Sequence, residues 1–165
     1  MDISLQDTVR IALIGTGATA LLDVWTMLLQ RMGVRTLDFA LVGRWIGHWP
    51  RGVFVHTAIA RAAPVKGELA LGWLFHYATG IAFAALLAGI AGSHWLRSPS
   101  AGPAIGVGVA TVVAPWFLMQ PAMGSGFAAS KTPTPGMNRI RSLANHAVFG
   151  LGLYSTALLL ARISR

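Results

Sequence analysis

Three titratable residues stand inside otherwise apolar runs: Asp23, His76 and His146. A charged or titratable side chain at membrane depth is expensive and by default marks a site. Asp23 lies about eight residues before the end of the first apolar run. His76 lies about eight residues into the second, and His146 six or seven into the fourth. Measured from the side of the two long loops, each is roughly 10–12 Å deep at 1.5 Å rise per residue. Groups far apart in sequence thus converge on one level. Gln120 and Met119 close the third run on that side, and Arg44, Arg139 and Arg141 lie near the mouth. Small residues flank both histidines at i±4, Gly72 and Gly80 about His76, Ser142 and Gly150 about His146. Such a helix face leaves room for a neighbouring helix or for a flat ligand.

This constellation admits three chemistries. The first is hydrogen bonding between helices, with Asp23 bonded to an imidazole or paired with Arg44 or Arg141. The second is a polar pocket that binds or passes a small ligand, ion or proton, built from Asp23, Arg44, His76, Gln120, Arg139, Arg141 and His146. The third is a b-type haem with His76 and His146 as axial metal ligands and arginines near its propionates. His48, His56 and His94 fall in loops and read as surface or interfacial residues. Met119 and Met123 are four apart and could be soft Cu(I) ligands, but without Cys or a Met-rich tract they read as packing.

The elements that hold these residues follow from composition. The chain has 165 residues, 55% hydrophobic and 11% charged, with mean hydropathy +0.61. A soluble domain carries about 25% charged residues, and a small one buries too little surface to hide so much apolar area. An integral membrane protein is expected. The absence of cysteine excludes disulfides, thiolate metal sites and a Cys nucleophile. The net charge of +8 is dispersed between apolar runs rather than gathered in a stripe, so anionic lipid is the expected partner and nucleic acid is not.

Spans are expected near residues 9–30, 69–92, 102–120 and 140–161, in an all-α four-helix bundle forming a single transmembrane domain. Residues 37–49 are apolar but too short to span, and suit a short interfacial helix in the first long loop, with Trp45 and Trp49 at headgroup level. Nine of the thirteen basic residues lie in or beside the two long loops. The positive-inside rule then puts those loops in the cytoplasm. No basic stretch precedes the first run, so it is expected to remain as a span rather than be cleaved.

An internal repeat is also expected. Shifted by 91 residues, positions 14–33 share six identities with 105–124, including Gly15, Gly17 and Trp25 on Gly106, Gly108 and Trp116. Shifted by 70, His76 falls on His146 and Gly80 on Gly150. The chain reads as two tandem two-helix units of parallel topology, with a pseudo-two-fold axis along the membrane normal. Glycine faces at Gly15/Gly17 and Gly106/Gly108 would suit a homodimer or a larger membrane complex.

Other motifs carry less. Gly15–Ala20 (GTGATA) fits G-x-G-x-x-A but lies inside a span, without the strand that a dinucleotide fold needs. Residues 126–132 lack both glycines that a P-loop requires before its lysine. Residues 120–135 (QPAMGSGFAASKTPTP) are richer in Gly, Ser and Pro than a simple linker. They read either as a surface turn region or as a loop that dips back and offers backbone N–H groups to an anion. With five acids and neither a nucleophile elbow nor HExxH, hydrolytic enzymes lose support.

The strings WIGHWPRGVFVHTAIA (45–60), GELALGWLFHYATGIAFA (67–84), MQPAMGSGFAASKTPTP (119–135) and RIRSLANHAVFGLGLY (139–154) resemble a bacterial family of small inner-membrane proteins known only as a domain of unknown function. The resemblance runs from about Gly15 to Tyr154. Asp23, Arg44, Gly47, His48, His56, His76, Gln120, Arg139, Arg141 and His146 match its characteristic positions. It implies a small multi-span membrane protein and attaches no role to these residues. Three function classes follow: a ligand-binding or transport protein, a haem electron carrier, and a non-catalytic accessory subunit.

Overall fold

In the computed structural model, which describes residues 4–163, every regular element is helical. Five helices carry the architecture. They are α1 (Leu5–Arg31), α2 (Phe39–Gly47), α3 (Glu68–Ala91), α4 (Ala101–Ala122) and α5 (Pro135–Ile163). All but α2 are long and apolar enough to cross a membrane. Their most apolar stretches have mean hydropathies of 1.4 to 1.7, yet only 22–28% of those stretches is buried within the chain. Leu21, Leu28, Leu74, Leu86, Ile90, Leu118 and Leu159 are all exposed. Helices apolar on their outward faces need hydrocarbon as solvent, and a helix satisfies its backbone there without help. The protein is a multi-pass membrane protein.

Helix ends lie beyond the apolar runs because polar residues cap them. Ser4 and Asp7 form a capping box, in which Asp7 N–H donates to Ser4 Oγ at 3.1 Å and Ser4 N–H donates to Asp7 Oδ2 at 3.3 Å. Helix α5 starts on Pro135, whose missing N–H is no loss at a first position. The expected short helix is α2, capped by the Asp38 carboxylate on Ala40 N–H. Helix α4 carries a π-helical segment at Pro115–Met119. Pro115 has no N–H to give and its ring crowds the preceding turn, so the ladder shifts there.

The chain divides into two compact units. Unit 1 comprises residues 1–35, 77–111 and 144–165, and unit 2 comprises residues 36–76 and 112–143. In unit 1 the core gathers Ile14, Ala18, Leu87, Leu96, Ala104 and Leu153. Helices meet there on glycine: a Cβ on Gly15 would stand 2.5 Å from Ile81 Cα, and one on Gly108 would stand 2.5 Å from Gly150 Cα. Gly15 and Gly108 are thus used inside the unit, while Gly106 faces open space. At one end of the unit Arg97 reaches the buried Asp7 at 2.7 Å.

Unit 2 is built differently. Its core joins Val42 and Trp45 of α2 to Ile59 and Met123, with Phe39, Trp49, Phe75 and Met119 packed around them. Both methionines are core residues of this unit. Helix α2 lies directly on the first turns of α3. A Cβ on Gly43 would overlap the Glu68 carbonyl, and one on Gly72 would overlap the Phe39 carbonyl.

Candidate functional site

Each polar residue singled out in the spans has a local partner. In unit 1, Tyr77 Oη donates to Asp23 Oδ2 at 2.8 Å. Two residues on, Trp25 Nε1 donates to Asn145 Oδ1 at 3.0 Å. Tyr77 and Asn145 are the sequence neighbours of His76 and His146, so α1 meets α3 and α5 through residues two apart. His146 Nδ1 lies 2.9 Å from Thr111 Oγ1 and 3.2 Å from Gly108 O. The Thr111 hydroxyl already donates to Gly108 O at 2.6 Å. Both groups facing Nδ1 therefore act as acceptors, which asks Nδ1 to carry the proton.

His76 belongs to unit 2, where its ring centroid lies 4.5 Å from that of Phe39 and 5.8 Å from that of Trp73. The room that Gly72, Gly80 and Gly150 leave along the histidine faces is taken by neighbouring helices, at Phe39, Thr19 and Ala104. No observation among the described residues singles out the haem reading.

Arg44 makes the most extensive polar contact in unit 2. Its Nε and one terminal nitrogen donate to the two Glu68 carboxylate oxygens at 2.9 and 2.7 Å. Its other terminal nitrogen donates to the carbonyls of Ala60 and Ala62. Glu68 also accepts from Val65 N–H at 3.0 Å. The carboxylate raises the Arg44 guanidinium above its ordinary pKa. Arg44 thus fastens α2 to α3 and to the loop between them. Sequence reading left out Glu68 because it stands at the first turn of a span, 24 positions away, and resembles an ordinary helix-start acid.

The remaining predicted residues sit along the second long loop. Arg139 Nε donates to Ala128 O at 2.9 Å. Ala128 and Ala129 have φ of 45° and 60°, left-handed values that cost a residue with a Cβ roughly 1–2 kcal/mol each. Arg139 therefore braces a strained turn, and such strain gathers at functional sites. Arg141 is half-buried on α5. Gln120 Oε1 is buried without a hydrogen-bond partner, as are the indole nitrogens of Trp49 and Trp116. All three belong to unit 2. A buried polar atom left unpaired costs about 1–3 kcal/mol, so each favours a polar ligand atom or water.

The two loops of unit 2 are tied to each other. His56 N–H donates to Ala122 O at 2.7 Å and Ile59 N–H to Met123 O at 3.1 Å. Gly124, at φ 92°, lies so close to the carbonyl of Thr57 that no Cβ would fit. Within the second loop, Lys131 N–H closes on Ser125 O at 2.9 Å. Between the loops lies a cleft of about 410 Å³. It is lined by the polar residues His56, Thr57, Ser130 and Lys131, by Gly124 and Gly126, and by the apolar Val55, Pro121 and Phe127. No carboxylate lines it. The unit around it holds Arg44, Arg51, Arg61, Lys66, Lys131, Arg139 and Arg141 against Asp38 and Glu68. Of the cleft residues, sequence reading placed only the Gly/Ser/Pro-rich stretch, from its composition.

His56 is joined by a second imidazole, with His48 Nδ1 at 3.4 Å from His56 Nε2. Burial first, then the neighbouring His48, pushes His56 below its ordinary pKa. Above about pH 6.5 the ring is neutral whether the chain is folded or not. Below that, the unfolded chain binds the proton more readily, so acidification destabilises the fold until the folded ring is protonated too. The melting temperature in detergent is therefore expected to fall more steeply between about pH 7 and pH 5.5 in the native chain than in His56→Gln. Equal slopes would remove this role.

Comparison with family models matches residues 12–160 to the family described as protein of unknown function, DUF2938. The chain belongs to that family. The match takes in both long loops and every residue of the cleft, so the cleft falls within the DUF2938 region rather than in an appendage. No curated protein and no solved structure matches the chain.

Proposed function

We propose that this DUF2938 protein is a bacterial inner-membrane protein that binds a small polar ligand in the cleft of unit 2, on the loop side of its spans. The carrying observation is that cleft: two hydroxyls, an imidazole and an ammonium gathered between two loops that backbone hydrogen bonds hold together. Its volume lies within the usual range for small-molecule sites, roughly 300–1,000 Å³.

On this reading the residues expected at the site divide by role. Arg44 and Arg139 position the loops, and Gln120 precedes the cleft residue Pro121. His76 packs under α2, while Asp23 and His146 join helices in unit 1. The excess of Arg and Lys in the long loops supports a cytoplasmic side for the cleft. The internal repeat belongs to the same proposal, since Gly80 and Gly150, matched at an offset of 70, both lie where a neighbouring helix closes on them, through the Thr19 side chain at Gly80 and the Ala104–Ile105 backbone at Gly150.

A thermal-shift comparison tests the reading. Purified protein is melted with inorganic phosphate, choline or glucose, beside Thr57→Trp, which fills the cleft. Stabilisation of the native chain by one charge class, lost in Thr57→Trp, is the expected result. Equal shifts in both chains, or none with any solute, would overturn it.

A further inference from the structure

Resting on the ligand-binding reading, we propose that the cleft of unit 2 recognises a phosphate group, held by Lys131, Ser130, His56 and Thr57. The sign of the ligand follows from the lining: one ammonium, one imidazole, two hydroxyls and no carboxylate. A cation would meet no compensating charge there.

Phosphate is favoured over carboxylate by the kind of donors and the segments they come from. A carboxylate is planar and best matched by the fork of an arginine. The two arginines tied to these loops are already committed, Arg44 to Glu68 and Arg139 to the Ala128 carbonyl. The cation left in the lining is a lysine, a point charge that suits phosphate. A tetrahedral oxyanion also needs donors from more than one segment. Here His56 and Thr57 of the first loop and Ser130 and Lys131 of the second all line the cleft. The close approach of Gly124 to the Thr57 carbonyl holds the two segments at this spacing. The apolar lining includes the exposed Val55 and Phe127, which would lie against the organic part of a phosphate ester.

The phosphate has two sources, a free or soluble phosphate and a phospholipid headgroup. The chain has no cysteine, so Val55→Cys gives one reporter thiol in the cleft wall while keeping every proposed donor. Val55 is 71% exposed, so the fold is expected to survive. A small maleimide is reacted with the full-length variant under three conditions. These are phosphate-free maltoside detergent micelles alone, the same micelles with inorganic phosphate, and micelles that also contain phosphatidic acid.

The expected result is a reactive thiol whose labelling slows about tenfold once the phosphate source reaches about ten times its Kd. Protection by inorganic phosphate identifies a soluble ligand, and protection by phosphatidic acid alone identifies a headgroup. Adding Lys131→Gln is expected to abolish protection, and adding Lys131→Arg to keep most of it. A reactive thiol that neither source protects overturns the phosphate assignment and leaves the cleft standing. Protection that survives Lys131→Gln overturns it as well. A thiol inert under all conditions shows the cleft closed and overturns the ligand-binding reading with it.

Discussion

Gly72→Ala is expected to force α2 away from α3 and to destabilise unit 2 strongly. The new Cβ would overlap the backbone carbonyl of Phe39, and the reciprocal change Gly43→Ala would overlap that of Glu68. Neither obstacle is the movable end of a side chain, so the helices themselves must separate. Overpacking costs about 1–3 kcal/mol even where side chains can adjust, and here the upper end or beyond is expected. The separation would also pull Phe39 from its place 4.5 Å from the His76 ring. Gly89→Ala is the control, because a Cβ there meets nothing within 4 Å. It should leave the melting temperature unchanged or raise it, since alanine favours the helix. A Gly72→Ala chain as stable as Gly89→Ala would show that α2 does not lie on α3 in this way.

The second large effect is expected at the Arg44–Glu68 pair. The side chains are only 13% and 18% exposed, and four hydrogen bonds converge on the Arg44 guanidinium. Arg44→Ala removes all four and leaves Glu68 and two carbonyls short of donors. It should therefore lower the melting temperature by more than Glu68→Gln, which keeps an acceptor for the guanidinium and for Val65 N–H. Arg44→Lys should recover little, because an ammonium cannot form the two-pronged contact. Breaking one side of a buried pair is costly because the partner charge stays behind. The double change Arg44→Met/Glu68→Leu should consequently be more stable than Arg44→Ala alone. If all four variants melt together, the pair contributes little and the loop is held by other contacts.

The spans were legible because charge is excluded from hydrocarbon. Long stretches without Asp, Glu, Lys or Arg mark them directly, whereas their ends depend on caps such as Ser4 with Asp7, a local pattern that hydropathy does not register. Helical rise gave only an expected depth for Asp23, His76 and His146. Their partners were not legible. Tyr77, Trp25, Asn145 and Thr111 are neutral and leave no charge signature, and which of them meet depends on the rotation of each helix about its axis. That rotation is set by contacts such as Gly15 on Ile81, between residues far apart in sequence. The cleft was the least legible feature. Its walls come from two loops about 70 positions apart, and they are held by backbone hydrogen bonds at His56 and Ile59 that carry no side-chain code.

Hydrogen exchange reads phosphate binding at the cleft directly. Backbone amides of the detergent-purified protein are followed with and without inorganic phosphate. Slower exchange is expected only in peptides covering residues 53–59 and 121–132, including the amides of His56, Ile59 and Lys131, with those of unit 1 unchanged. No change in those peptides, or protection that appears only among the spans near Asp23 and His146, would contradict it.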